Sequence, residues 1–113
     1  MKFNETAKFS KELKTLSKKY RSLSDDLAEF KKVITSIPCG TSKHSVMLHN
    51  AGDFKIIKSR FFCRYLRGSS MRIVYAYYEK KQQVEFIELY FKGDKERADA
   101  KRLDEYIMSC CAS

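Results

Sequence analysis

The sequence predicts an α+β fold, with an N-terminal helical hairpin packed on a small, twisted antiparallel sheet and a C-terminal helix closing the chain. Three observations carry this. Apolar residues recur at helical spacing from about residue 6 to residue 37. They give way to strand-like runs rich in Ile, Val, Phe and Tyr between residues 54 and 91, and a helical pattern then returns. The 113 residues fit one domain (1–113), large enough to bury a core without cross-links.

Lys2–Asn4 is expected as a short opening strand. From about Thr6, a plausible N-cap, Phe9, Leu13, Leu16 and Tyr20 recur at spacings of 4, 3 and 4, while Lys8, Lys11, Lys14, Lys18 and Lys19 form a solvated face. After a break at 21–23, Ser24 is expected to cap a second helix, with Asp25 and Asp26 in the first turn where the helix dipole favours carboxylates. Leu23, Leu27, Phe30, Ile34 and Ile37 make its stripe, and Pro38 ends it. Residues 39–52 are polar and are expected as a long irregular loop. Phe54–Leu66, Arg72–Glu79 and Val84–Phe91 read as strands, joined by Gly68-Ser69-Ser70 and by Lys80–Gln83. Connections this short favour antiparallel neighbours. Gly93-Asp94 breaks the pattern, and a last helix from about Lys95 would bury Leu103, Tyr106, Ile107 and Cys110.

Composition narrows the function classes. Lys+Arg 23 against Asp+Glu 14 gives a net charge of +9, which suits a phosphate-rich or acidic partner. The four cysteines form no C-x-x-C pair, so neither a metal site nor a disulfide framework is expected, and reduced thiols in a cytosol are the simpler reading. No apolar run approaches the ~20 residues of a membrane span, and no signal-peptide core is visible, so a cytoplasmic protein without a membrane role is expected.

The charge is concentrated. Between Phe54 and Tyr78 lie Lys55, Lys58, Arg60, Arg64, Arg67 and Arg72 and no acidic residue. Lys58, Arg60, Phe62 and Arg64 are two apart and would share one strand face. A face that presents cations is unsuited to a packed core and suited to a polyanion, RNA first. An edge strand also carries cations to deter sheet-to-sheet aggregation, and Arg72 also fits an ion pair with Glu88 across neighbouring strands.

Gly68–Tyr75 (GSSMRIVY) and Ile87–Lys95 (IELYFKGDK), in an element order of strand, two helices, three strands and helix, resemble the RelE/ParE family of bacterial type II toxins. The likeness runs over essentially the whole chain. It implies a metal- and cofactor-independent endoribonuclease that cuts mRNA in the ribosomal decoding site and is neutralised by an acidic antitoxin. Two alternatives stay open: a same-fold toxin of the ParE-like branch directed at DNA gyrase, and a non-catalytic module that only binds its antitoxin.

The resemblance places Arg72 at the arginine that opens the second strand of the family's pattern, and Lys58 and Arg60 at its basic pair on the preceding strand. These three are the candidate catalytic residues, since guanidinium forks grip two phosphate oxygens of a charged phosphorane. Arg64, Arg67 and Lys92 are candidate RNA-backbone contacts, and Tyr90 or Tyr106 a candidate surface for stacking a base. His49, with His44 in the same loop, is the candidate acid or base. The chain departs from the family pattern at Gly93, where RNA-cutting members often carry Arg, for which Lys95 or Arg97 is the nearest substitute. It departs again at Asp99, in register with a tyrosine that some members place in the last helix.

Overall fold

The computed structural model describes residues 1–40, 43–95 and 97–111 and, at Cys111, the backbone alone, so Glu96 and the Cys111 thiol lie outside the described residues. Its elements are β1 (Lys2–Glu5), α1 (Ala7–Lys19), α2 (Leu23–Ser36), β2 (Ser45–Asn50), β3 (Lys55–Cys63), β4 (Gly68–Tyr78), β5 (Gln83–Phe91) and α3 (Ala100–Cys111). The strands form one five-stranded sheet in the order β1-β5-β4-β3-β2. Pairing among β2, β3, β4 and β5 is antiparallel, but β1 runs parallel to β5, so the sheet is mixed where a wholly antiparallel one was expected.

Local chemistry sets the boundaries. Thr6 caps α1 as expected: its Oγ1 accepts from the Phe9 N–H at 3.2 Å and donates to the Ile87 carbonyl at 3.3 Å. Helix α2 starts earlier than Ser24. Ser22 stands at its N-cap, yet its hydroxyl donates to Asp26 Oδ2 at 2.7 Å instead of capping the backbone. Asp26 is buried and also accepts the Arg64 N–H at 3.2 Å, which pins the turn after β3 to the start of α2. That turn comprises Arg64–Arg67, so Gly68–Ser70, expected as the connection, belong to β4. Helix α3 starts at Ala100 and not near Lys95, because Asp99 takes the cap position and its Oδ1 accepts the Arg102 N–H at 3.1 Å.

The segment expected as irregular loop contains β2. Ser45 pairs with Ser59, Val46 with Lys58 and Met47 with Ile57, and a bulge precedes His49 opposite Ile56. The sequence SVMLHN has little β-branched character and no clean alternation, so the pairing is imposed by β3 and not by local preference.

Two cores result, one on each sheet face. On the first, Ile57, Phe61, Met71, Ile73, Tyr75, Phe86 and Leu89 pack against Phe9, Leu23, Leu27 and Ile34 of α1 and α2. On the second, Phe54, Ile56, Val74, Ala76 and Ile87 meet Leu103, Tyr106, Ile107 and Cys110 of α3. That helix covers only part of its face. The other part, at the opposite end of β3, remains uncovered and carries the functional candidates.

Candidate nucleic-acid interface and active site

Alternation along β3 sends Ile57, Ser59 and Phe61 toward α1 and α2 and Lys58, Arg60 and Phe62 toward the other face, so a basic strand face exists. Register then brings distant residues onto it in two rungs. Arg60 stands opposite Arg72, which stands opposite Tyr90. The next rung runs Val46, Lys58, Val74 and Glu88. Directly opposed side chains have Cβ atoms about 5 Å apart, where two like charges repel. An Arg60–Arg72 pair on an open face is therefore poor for stability and well suited to gripping an anion from both sides.

A cleft of about 270 Å³ opens over these rungs, lined by Lys43, His44, Ser45, Val46, Lys58, Ser59, Arg60, Arg72, Tyr90 and Lys92. The lining holds five cations and no carboxylate. Lys58, Arg60 and Lys92 form no ion pair among the described residues. Arg72 is held by its own strand: one guanidinium nitrogen, Nη1, donates to the Ser69 carbonyl at 2.5 Å and the Met71 carbonyl at 2.9 Å. Its Nη2 and Nε donors have no protein acceptor among the described residues. The Arg72–Glu88 ion pair that the sequence allowed does not form, because buried Glu88 accepts instead from Lys95 Nζ and from the Asp99 N–H.

Other candidates are placed elsewhere. Arg64 lies in the turn beyond β3, its Nε 3.8 Å from Asp26 Oδ1. Arg67 occupies a left-handed position in the same turn, with φ 54°, and neither lines the cleft. His49 sits on β2 with its ring 6.4 Å from Phe54, on the part of the face near α3, and it is His44 that lines the cleft. Tyr90 does line the cleft, but at 6% exposure its ring has no free face for a base. Tyr106 is an α3 core residue whose hydroxyl meets Tyr78 at 2.6 Å and Glu85 at 2.5 Å.

The departure at Gly93 has a packing correlate. A Cβ there would lie 2.4 Å from Cε2 of Phe91, so the ring occupies the space of any larger residue. Lys95 does not take over the missing cation's place, because Glu88 holds it. Lys43 escaped the sequence reading, and His44 entered it only alongside His49, because their strand partner was unseen. Once β2 is known, period-two alternation puts His44 and Val46 on the same side as Lys58.

Among the described residues no helix is long and apolar enough to cross a membrane. No protein-family model matches the sequence, and no curated protein matches it. Among solved structures, the chain is similar to the archaeal RelE–RelB complex from Pyrococcus horikoshii OT3, with a TM-score of 0.61 and 18% identity over 81% of this chain and 94% of that one. The polypeptide thus has a RelE-like fold.

Proposed function

We propose that this protein is the toxin of a toxin–antitoxin pair, an endoribonuclease that cuts mRNA on the ribosome and is silenced by an acidic antitoxin covering the cationic face. Fold alone does not assign activity, so the reading rests on the site. The observation that carries it is the opposed Arg60 and Arg72 with Lys58 one rung away, in a cleft whose lining has no carboxylate.

Cleavage without a metal proceeds by attack of a 2′-OH on the adjacent phosphorus. A proton must leave the nucleophile, the phosphorane must be stabilised, and the 5′-oxygen must be protonated as it departs. Arg72, fixed through Nη1, presents its remaining donors to one non-bridging oxygen, and Arg60 faces it from the neighbouring strand. Lys58 and Lys92 add positive charge where negative charge builds up on the phosphorane oxygens. His44, at the cleft wall, is the imidazole best placed to take or return a proton, ahead of His49. Arg64 and Arg67 serve as peripheral backbone contacts.

The antitoxin reading draws on the structural neighbour, which is a complex of RelE with RelB. A net charge of +9 on this chain favours an acidic partner. The Gly93–Phe91 packing favours a second reading, a same-fold toxin that does not cut RNA and acts on gyrase, or a module that only holds its antitoxin. Brief induction in cells separates them. The nuclease leaves transcripts nicked within codons, the gyrase poison leaves mRNA whole and accumulates DNA breaks, and the module does neither.

A further inference from the structure

Glu88 has no solvent exposure although it sits on the face that carries the cationic cleft. A buried carboxylate is tolerable only when paired and hydrogen-bonded. Both conditions are met from one segment, the connection between β5 and α3: Lys95 Nζ donates to Oε2, and the Asp99 N–H donates to Oε1 at 3.0 Å. The pair folds that connection back over β5 and sets the Lys95 ammonium 5.3 Å from the centre of the Tyr90 ring.

Tyr90 is the odd member of the site. Its hydroxyl is buried and has no hydrogen-bond partner among the described residues. The side chains around it on the cleft, Arg72, Lys58 and Lys92, are donors only, so none accepts the phenolic proton. Glu88 has its oxygens engaged by Lys95 and Asp99. Burial above all, with the Glu88 charge, holds the phenol above its ordinary pKa against the opposing pull of Arg72, so at neutral pH it remains a donor.

We propose that Glu88 and Lys95 are positioning residues that hold Tyr90 against the cleft, where its hydroxyl donates a hydrogen bond to an anionic oxygen bound at Arg72. This rests on the reading of the cleft as a phosphate site. It also gives Tyr90 a different part from base stacking, which its burial prevents.

The test is equilibrium binding of a short 2′-O-methyl oligoribonucleotide, which cannot be cut, across a salt series, together with the thermal midpoint of each free variant. Tyr90→Phe removes only a hydroxyl. It should weaken binding about tenfold without changing the salt slope, and leave the midpoint equal or higher, since an unpartnered buried polar group is lost. Glu88→Gln is the sharper arm. Coulomb's law alone says that removing a carboxylate near the cleft tightens polyanion binding, whereas loss of positioning weakens it several-fold. In the Tyr90→Phe background that weakening should vanish.

If Glu88→Gln does not fold, Lys95→Gln serves in the same cycle, with a coupled loss expected beyond one cation's share of the salt slope. Unchanged affinity in Tyr90→Phe, or tighter binding in Glu88→Gln, overturns the proposal while the phosphate-site reading stands. A wild-type chain that does not bind the oligonucleotide with a steep salt dependence overturns both.

Discussion

Arg72 is held at Nη1 by two carbonyls of its own strand and faces Arg60 across the ladder, so two guanidinium groups share one small volume without a carboxylate between them. On the account above, Arg72→Ala abolishes RNA cleavage while antitoxin affinity stays within a few fold. Lys58→Ala and Arg60→Ala each lower the cleavage rate by about 10²-fold, the cost of removing one partner of transition-state charge. Single-turnover cleavage with titration of the antitoxin measures both, and an Arg72→Ala protein that unfolds instead would make that residue structural. His44→Ala and His49→Ala form a matched pair, with loss expected from the first and little change from the second. At this scale the alternation of Lys58 and Arg60 was legible, because a period of two needs only local sequence. His44 was not, since its side depends on a pairing with β3 that no local signal announces. The burial of Tyr90 was not legible either, because the Lys95 ammonium near its ring comes from a later segment that Glu88 holds.

Strand β5 shows how elements complete one another. Its outer edge is paired with β1 only from Gln83 to Phe86, and a bulge in its ladder with β4 follows. Beyond that point the exposed backbone groups are met by a clasp between helices. The Leu89 N–H donates to Glu12 Oε1 at 3.2 Å, and Arg102, which also donates to the Ile87 carbonyl, forks onto Glu12 at 2.8 and 3.0 Å. The Arg102 side chain is only 10% exposed, so removing its partner strands a largely buried charge and an unpaired N–H. Glu12→Ala should therefore cost roughly 2–4 kcal/mol. Thermal unfolding would read this as a fall of about 10 °C or more in a domain of this size. A loss below about 1 kcal/mol would mean that the clasp is solvated in practice. The helical stripes of α1 and α2 and the cores of β3, β4 and β5 were legible from periodicity. Glu12 read only as one polar position among lysines, and β1's parallel partner was invisible, since pairing across some eighty residues leaves no local trace.

At the scale of the molecule, one sheet divides two environments: a face packed under α1 and α2, with a groove of about 480 Å³ left open between α2 and β3, and a face that α3 covers at one end and leaves cationic at the other. The covered end is fastened by polar contacts as well as apolar ones, with Tyr106 bonded to Tyr78 and Glu85, and Tyr78 to Cys110 at 3.3 Å. Burial, foremost, raises the pKa of both phenols above their ordinary value. A raised folded-state pKa means that the neutral phenols contribute stability that is fully present below about pH 10 and is lost as pH rises further. Alkaline conditions should therefore loosen the α3 contact, and Tyr106→Phe should flatten the alkaline limb of stability against pH. An unchanged limb would place the tyrosines outside the balance. The placing of cations on one face of β3 followed from their segregation between Phe54 and Tyr78, while the half-coverage of that face by α3 depends on the long-range contacts of Lys95 and Asp99 with Glu88.

The most direct measurement is a map of transcript 5′ ends after brief induction of the wild-type chain and of Arg72→Ala. Induction of the wild-type chain should give new ends inside coding regions, spaced by codon position, that vanish in the variant. Intact transcripts with the wild-type chain, or the same ends with Arg72→Ala, would contradict the nuclease reading.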